Sequence, residues 1–291
     1  MIDDISRFRR LARAVTTQTG ALDTSFLGLG RPLGSARVLN AIGHGKEDVG
    51  ELRDYLGLDS GLMSRLLRGL EAEGMVETAP APKDARRRIA KLTEAGQAAF
   101  AQYEALSDQL AEAVLGRYKQ SEALLAAADL IATVLGRDRI EIIEADPEDP
   151  RVQHCVQAYY DEISEIFGVY FDPQVSGDPE ADSLRVPNGT FLLALSDGLP
   201  IGCVAVKRQA EGLGEVKRMW VAPAARGLGL AKQLMSAIET HAQRLGLTTL
   251  QLDTNGKLTA ALHLYRNDGW VEIERYNDNP YAEHFFEKQL G

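Results

Sequence analysis

Residues 217–246 read KRMWVAPAARGLGLAKQLMSAIETHAQRLG: an apolar run meets Arg226, Gly227, Leu228, Gly229, Leu230 and Ala231, and then becomes a helix. A glycine-containing turn that opens a helix presents unpaired backbone N–H groups and the positive end of the helix dipole, which together attract phosphate. Gly227 and Gly229 let the backbone approach an anion closely. Arg226 adds a charge, and the small Ala231 lets the start of the helix pack tightly. The same pattern also suits a plain strand-to-helix connection, so the flanking sequence decides between the two readings.

Upstream, LGEVKRMWV reads as a strand with Glu215 near its start; downstream come TLQLDTN, a second strand, and LTAALHLYRNDGWVEI, a helix followed by a strand. In this order and spacing the segment resembles the GNAT family of acyl-CoA N-acyltransferases. The family's RxxGxG/A signature stands here as Arg226, Gly229 and Ala231. Its AxxLYxxxGF pattern stands as Ala261, Leu264, Tyr265, Gly269 and Trp270. The resemblance covers residues 139–291 and implies an α/β fold with a mixed central sheet and acetyl-CoA as co-substrate. It implies a cofactor site built from Met219, Val221, Arg226, Gly227, Leu228, Gly229, Leu230, Ala231, Asn255 and Tyr265.

The reading of this half is a strand at 139–144, a helix at 150–167, an irregular segment at 168–189, strands at 190–196, 201–210 and 214–222, and a helix at 227–245. A strand at 247–254, a helix at 258–268 and strands at 270–276 and 282–288 complete it. The irregular segment is polar, rich in Pro and Gly and too long for an ordinary connection, so it is a candidate wall or lid of the acceptor site. The stretch YNDNPYAEHFFEK is a second candidate, with Tyr281, His284 and Phe286 mixing aromatic and polar groups; core packing is the competing account.

Amide formation on an amine needs a base for the amine, a donor for the thioester carbonyl and a proton for the departing thiolate. Glu215 is the candidate base, at the start of the strand that resembles the family's central strand; a solvent-facing charge is the alternative. Tyr265, on the helix that would flank the pantetheine slot, is the candidate acid. A backbone N–H near Val221 would polarise the carbonyl, and Asn255 either holds the pantetheine arm or simply closes the Asn-Gly turn. No Ser, Cys or His arrangement suggests an acyl-enzyme, so direct transfer in a ternary complex is expected.

Composition is that of an ordinary globular protein: 291 residues, 45% hydrophobic and 25% charged, long enough for two cores. The amphipathic, charged N-terminus lacks an apolar signal core and no run of about 18 apolar residues occurs, so a cytoplasmic protein without membrane contact is expected. Cys155 and Cys203 form no CxxC pair, which suggests neither a zinc site nor a disulfide framework, and no metal is expected. Residues 1–138 carry 18 Lys+Arg against 19 Asp+Glu, whereas residues 139–291 carry 14 against 23, so the acidity lies in the second half. Any anion site there has to be local.

The first half reads as helices at 2–15, 35–43, 48–56, 60–73, 93–117 and 121–136, interrupted by VETAPAPKDARRRIAKL, a strand, a turn and a strand. Val49, Leu52 and Leu56 form one apolar face, Gly57 to Asp59 turn the chain, and Leu62, Leu66, Leu67 and Leu70 form another. Opposite them Gly61, Ser64, Arg65 and Arg68 share one small, positive face suited to a major groove. Lys83, Arg86, Arg87 and Arg88 follow on the hairpin, which makes the pattern a mainly α winged helix-turn-helix.

This half resembles the MarR family of transcription regulators over residues 1–138. The family's DxR wing motif stands as Asp84 and Arg86, and its LTxxG helix start as Leu92, Thr93 and Gly96. The resemblance departs at Glu77, Thr78 and Ala79, where family members usually place an Arg. It implies a homodimer on double-stranded DNA with a pseudo-palindromic operator, contacted by Ser60, Ser64, Arg65, Arg68, Lys83, Arg86, Arg87 and Arg88. The expectation is therefore a MarR-like DNA-binding and dimerisation domain at 1–138 joined to a GNAT-like N-acetyltransferase for a small-molecule amine at 139–291. The alternative is a regulator whose second domain only senses an acyl-CoA or an amine.

Overall fold

The computed structural model describes residues 3–176 and 180–291. Residue 2, in the first expected helix, and residues 177–179, in the irregular segment, lie outside the described residues. The chain forms two compact units, Met1–Ser121 and Glu122–Gly291.

The first unit carries helices α1 (Asp4–Gln18), α2 (Leu33–Gly43), α3 (Val49–Leu56) and α4 (Ser60–Ala72), the antiparallel hairpin β1 (Val76–Ala81) and β2 (Asp84–Leu92), and α5 (Glu94–Leu115). The turn between α3 and α4 is closed by local chemistry. Asp48 caps α3 by accepting from the Gly50 and Glu51 amides, Gly57 takes the left-handed conformation that ends α3 (φ 65°), and Asp59 caps α4 by accepting from the Leu62 amide. Buried Met63, Leu67 and Leu70 hold α4 to the core. Met63 takes the fully buried place that the apolar pattern suggested for Leu62 and Leu66, which sit half-buried.

The start of α5 explains the LTxxG pattern. The Thr93 hydroxyl donates to the Gly74 carbonyl, while its oxygen accepts from the Gly96 amide. A Cβ on Gly96 would lie 1.9 Å from the Met75 carbonyl oxygen, so only glycine fits there.

The second unit holds α6 (Ser121–Gly136), β3 (Glu141–Glu144), α7 (Pro150–Phe167), β4 (Gly189–Ser196), β5 (Leu199–Ala210), β6 (Leu213–Val221), α8 (Leu230–Arg244), β7 (Thr249–Thr254), α9 (Thr259–Asn267), β8 (Val271–Ile273) and β9 (His284–Gln289). Nearly all of α6 falls in this unit, whereas the sequence places the boundary after it. Gly136 lies against Ser196 and Arg139 pairs with Asp197 at 3.8 Å, which ties the end of α6 to the β4–β5 turn.

The sheet runs in the order β3-β4-β5-β6-β7-β9-β8. Every pair is antiparallel except β6 with β7, so the sheet is mixed. Val204, Val206, Leu250, Leu252 and Phe286 pack with Leu230, Leu234, Met235 and Ile238 of α8 in one core; Phe191, Leu193, Cys203 and Ala205 pack with Val152 and Cys155 of α7 in another. The two buried cysteines, distant in sequence, meet thiol to thiol in that second core.

Among the elements whose bounds differ from the sequence-based ones, two bear on the site. Gly227 and Gly229 are left-handed, which delays α8 to Leu230. The expected strand at 270–276 stops at Ile273, because the Arg275 guanidinium lies over the Phe285 ring and donates to the Asn279 and Ala282 carbonyls, which gathers residues 274–283 into a loop.

Candidate functional site

The site in the second unit begins where two neighbouring strands stop pairing. β6 and β7 are in register only at Leu213↔Thr249, Gly214↔Leu250 and Glu215↔Gln251. Beyond that point Val216–Met219 and Leu252–Asn255 line a cavity. A β-bulge on β6 drives the parting: the Cys203↔Trp220 and Ala205↔Lys217 pairs leave Val204 facing both Arg218 and Met219. Arg218 sits in the left-handed region at φ 55°, and its carbonyl accepts from the Cys203 thiol at 3.2 Å. A bulge bends its strand and increases its twist. β7 meanwhile pairs along its full length with β9 on its other side.

The glycine turn follows the end of β6 in the chain, after Pro223–Ala225. Gly229 is the N-cap of α8 with no side-chain cap, and a Cβ added to Gly227 or Gly229 would meet nothing within 4 Å. The first amides of α8 therefore face open space without a side-chain acceptor, the arrangement that suits an anion. Leu230 is buried in the core, and Leu228 and Ala231 are half-buried, so any contact from them to an anion runs through the backbone.

Arg226 departs from expectation. Its guanidinium donates to Glu162 at 2.6 Å and to the Val221 carbonyl at 3.0 Å, and Glu162 also accepts from the Trp220 indole. Its charge is thus committed to closing the turn against α7. Val221 packs its side chain on the core and Met219 faces the cavity.

Tyr265, at the cavity wall, is 5% exposed, and among the described residues its hydroxyl has no hydrogen-bond partner. Burial, with the negative charge of Asp253, pushes its pKa well up, so the phenol stays protonated at neutral pH. Asn255 reaches the cavity but uses its side chain locally: it donates to the Tyr281 carbonyl at 2.7 Å and accepts from the Lys257 amide.

Glu215 is neither solvent-facing nor a free base. It is 2% exposed and accepts from Lys207 and Lys217, each at 3.0 Å, and from the Tyr276 hydroxyl at 2.9 Å. Lys217 bridges onward to Asp253 at 3.0 Å, and Asn277 and Asn279 donate to Asp253. Burial raises the Glu215 pKa, but the two ammonium groups outweigh it and hold the carboxyl below its usual range. Burial works against the charge on Lys217, yet Asp253 and Glu215 leave its pKa raised. The alternation of strands puts Glu215 and Lys217 on one face, with Lys207 directly across, so the i, i+2 spacing of Glu215 and Lys217 is the sequence signal for this pairing.

The cavity also has an aromatic side: Tyr159, Ile163 and Phe167 from one face of α7, with Phe171 and Tyr281. Of the C-terminal candidates, Tyr281 joins this wall, Phe286 belongs to the core, and His284 pairs with Glu272 at 2.6 Å.

Residues 156–270 match the family described as Acetyltransferase (GNAT) family. The IAA acetyltransferase of Azospirillum brasilense is 32% identical over 143 residues, 48% of this chain and 93% of that protein. The chain belongs to the GNAT acetyltransferase family. The aminoalkylphosphonate N-acetyltransferase of Salmonella typhimurium is 30% identical over 115 residues, 38% of this chain and 75% of its own length. A solved GNAT acetyltransferase from Staphylococcus aureus is 21% identical and covers 52% of this chain and 99% of its own, with a TM-score of 0.47. Residues 27–87 match the MarR family, so this GNAT acetyltransferase carries a MarR-like unit ahead of it.

In that unit Ser60, Gly61, Ser64, Arg65 and Arg68 are exposed along α4. The hairpin is less open than its arginines suggested. Arg87 donates to Asp48 at 2.8 Å and Glu51 at 2.7 Å, and Arg88 donates to Thr78 and lies 3.7 Å from Glu71. Arg86 folds back on Asp84, and Lys83 is exposed at the tip. No helix among the described residues is long and apolar enough to cross a membrane.

The ion cluster sets a pH dependence. The folded pKa of Glu215 lies below its unfolded value, so its contribution is present above the unfolded carboxylate range and is lost as pH falls through the folded value. Glu215→Gln is expected to cost about 3 kcal/mol at pH 7, the scale for removing one partner of a buried ion pair. Urea denaturation at pH 7 and pH 3 checks this. The gap between variant and wild type shrinks at the lower pH; an equal gap at both would show that ionised pairing is not what Glu215 supplies.

Proposed function

We propose that the protein is an acetyl-CoA-dependent N-acetyltransferase for a small-molecule amine, built onto a module that binds double-stranded DNA as a homodimer. The observation that carries the enzymatic half is the opening between β6 and β7 with the Tyr265 hydroxyl at its wall, β6 running on in the chain to the uncapped N-terminus of α8. Acetyl-CoA fits the chemistry of these groups: phosphates toward the amides from Gly227 to Ala231, the pantetheine arm along Met219, Val221 and Asn255, and the thioester near Tyr265. When bound, the co-substrate supplies an activated acetyl group. Tyr265, held protonated by burial, gives its proton to the departing sulfur.

Glu215 takes a different part from the base first expected. Its bonds to two lysines and a tyrosine suit it to holding Lys217 and Asp253 in place, and its depressed pKa makes it a weak proton acceptor. The acceptor amine then enters as the neutral form or loses its proton to water. Among the described residues the carboxylate that lines the cavity, Asp253, is committed to Lys217, Asn277 and Asn279, which favours a second reading, a regulator in which this unit only senses an acyl-CoA.

One assay separates the readings. Acetyl-CoA is incubated with a panel of amines while free thiol is followed. Turnover that falls about 100-fold or more in kcat for Tyr265→Phe, with KM for acetyl-CoA little changed, supports transfer with Tyr265 as acid. Binding of acetyl-CoA without thiol release for any amine supports the sensor. An unchanged kcat in the variant removes Tyr265 from the acid role.

For the DNA module, the outward face of α4 supports the reading, as do exposed Ile5, Phe8 and Val15 on α1, apolar groups that a second copy would cover. Contacts to phosphate or base edges are assigned to Ser60, Ser64, Arg65, Arg68, Lys83 and Arg86, with Arg87 and Arg88 bracing the hairpin. Fluorescence anisotropy on a duplex selected from a random library tests this. Arg65→Ala is expected to weaken binding and lower the salt slope by about 1, whereas salt-sensitive binding that survives intact would misplace the face.

A further inference from the structure

We infer that the acceptor is a primary amine carried on an aromatic or similarly apolar group, without a carboxylate, phosphonate or other anion. This rests on the acetyltransferase reading above and concerns the aromatic side of the same cavity.

Four rings meet there from separate parts of the chain. Phe167 of α7 stacks on Tyr281 with centroids 6.0 Å apart and planes 17° apart. Phe171, on the segment after α7, lies 4.9 Å from Tyr281 and 6.4 Å from Tyr159. With Ile163 these side chains give the cavity a wall of ring faces and hydrocarbon. Ring faces favour apolar groups and, through their quadrupole, an ammonium; they repel an anion.

Most of the polar groups beside them already have partners within the protein. The Tyr281 hydroxyl accepts from the Asp172 amide at 3.2 Å, and the Ser176 hydroxyl donates to the Pro173 carbonyl at 2.9 Å. Asn279 donates to Asp253 and accepts from the Tyr281 amide. The two cations that line the cavity are also engaged: Lys217 lies between Glu215 and Asp253, and Arg218 has an interaction of its own. An acceptor anion would find hydroxyl protons there but would have to compete with Glu215 and Asp253 for Lys217, and a charge buried without its own counter-ion is costly. An apolar amine asks for neither.

The decisive pair of acceptors is 2-phenylethylamine and phenylalanine, which differ only by a carboxylate. With wild-type protein and acetyl-CoA, kcat/KM for 2-phenylethylamine should exceed that for phenylalanine and for aminomethylphosphonate by about 100-fold. It should exceed that for ethylamine by at least about tenfold, the scale of a filled apolar pocket. Calorimetric titration of 2-phenylethylamine into the protein saturated with CoA gives a second readout. Binding should weaken about tenfold in Phe171→Leu and in Tyr281→Leu while CoA affinity stays unchanged.

Equal or better use of phenylalanine or aminomethylphosphonate would overturn the inference, as would leucine variants that affect ethylamine and 2-phenylethylamine alike. If acetyl-CoA is bound but transferred only to polyamines or lysine peptides, the acceptor class is wrong and the enzyme reading stands. If acetyl-CoA is neither bound nor consumed with any amine, the enzyme reading fails and this inference falls with it.

Discussion

The parting of β6 from β7 after three residue pairs is the constraint on which the rest of the second unit depends. Two parallel strands that stop pairing leave backbone groups without partners, and such groups are costly when buried. The fold accommodates the parting by giving β7 an antiparallel partner in β9 on its other side and by bending β6 at the Arg218 bulge. β6 then leads through the glycine turn into the N-terminus of α8. The site thus follows from a backbone irregularity at one residue, held by the Cys203 thiol on the Arg218 carbonyl.

Charge is organised by the same parting. Asp253 of β7, just past the last paired position, meets Lys217 across the gap, Glu215 binds Lys217 from two residues away on β6, and Lys207 of β5 completes a buried set of two anions and two cations. Such a set repays its desolvation only with good geometry and full hydrogen bonding, which Tyr276, Asn277 and Asn279 provide. Their loop between β8 and β9 is therefore bound to the wedge by polar contacts as well as by the Tyr281 ring. In the first unit, Arg87 on Asp48 and Glu51 does a comparable job at the surface, joining β2 to the start of α3.

Much of this was legible in the sequence, because it rests on local chemistry. The helices around Gly57, the hairpin, and the order of strands and helices after residue 139 follow from caps, turn residues and periodicity. Gly227 and Gly229 were legible as a turn before a helix, but not their left-handed backbone, which moves the helix start from 227 to Leu230. Tyr265 was placed at the cavity by its motif. What was not legible depends on pairing between distant segments. Glu215 could be assigned to the central strand, but not to two lysines until the registers of β5 and β6 were known. Arg226, Arg87 and Arg88 read as free positive charges, yet Glu162, Asp48, Glu51 and Glu71 claim them through tertiary contacts. The aromatic wall joins residues 159 and 281, a separation that no local pattern spans.

The most direct test of the account is amide hydrogen exchange measured with and without acetyl-CoA. If the co-substrate lies in the wedge with its phosphates on α8, exchange slows at residues 219–221 and 227–232 and along 254–265, while the α3–α4 segment is unchanged. Protection that bypasses the 227–232 amides, or no protection at saturating acetyl-CoA, would contradict it.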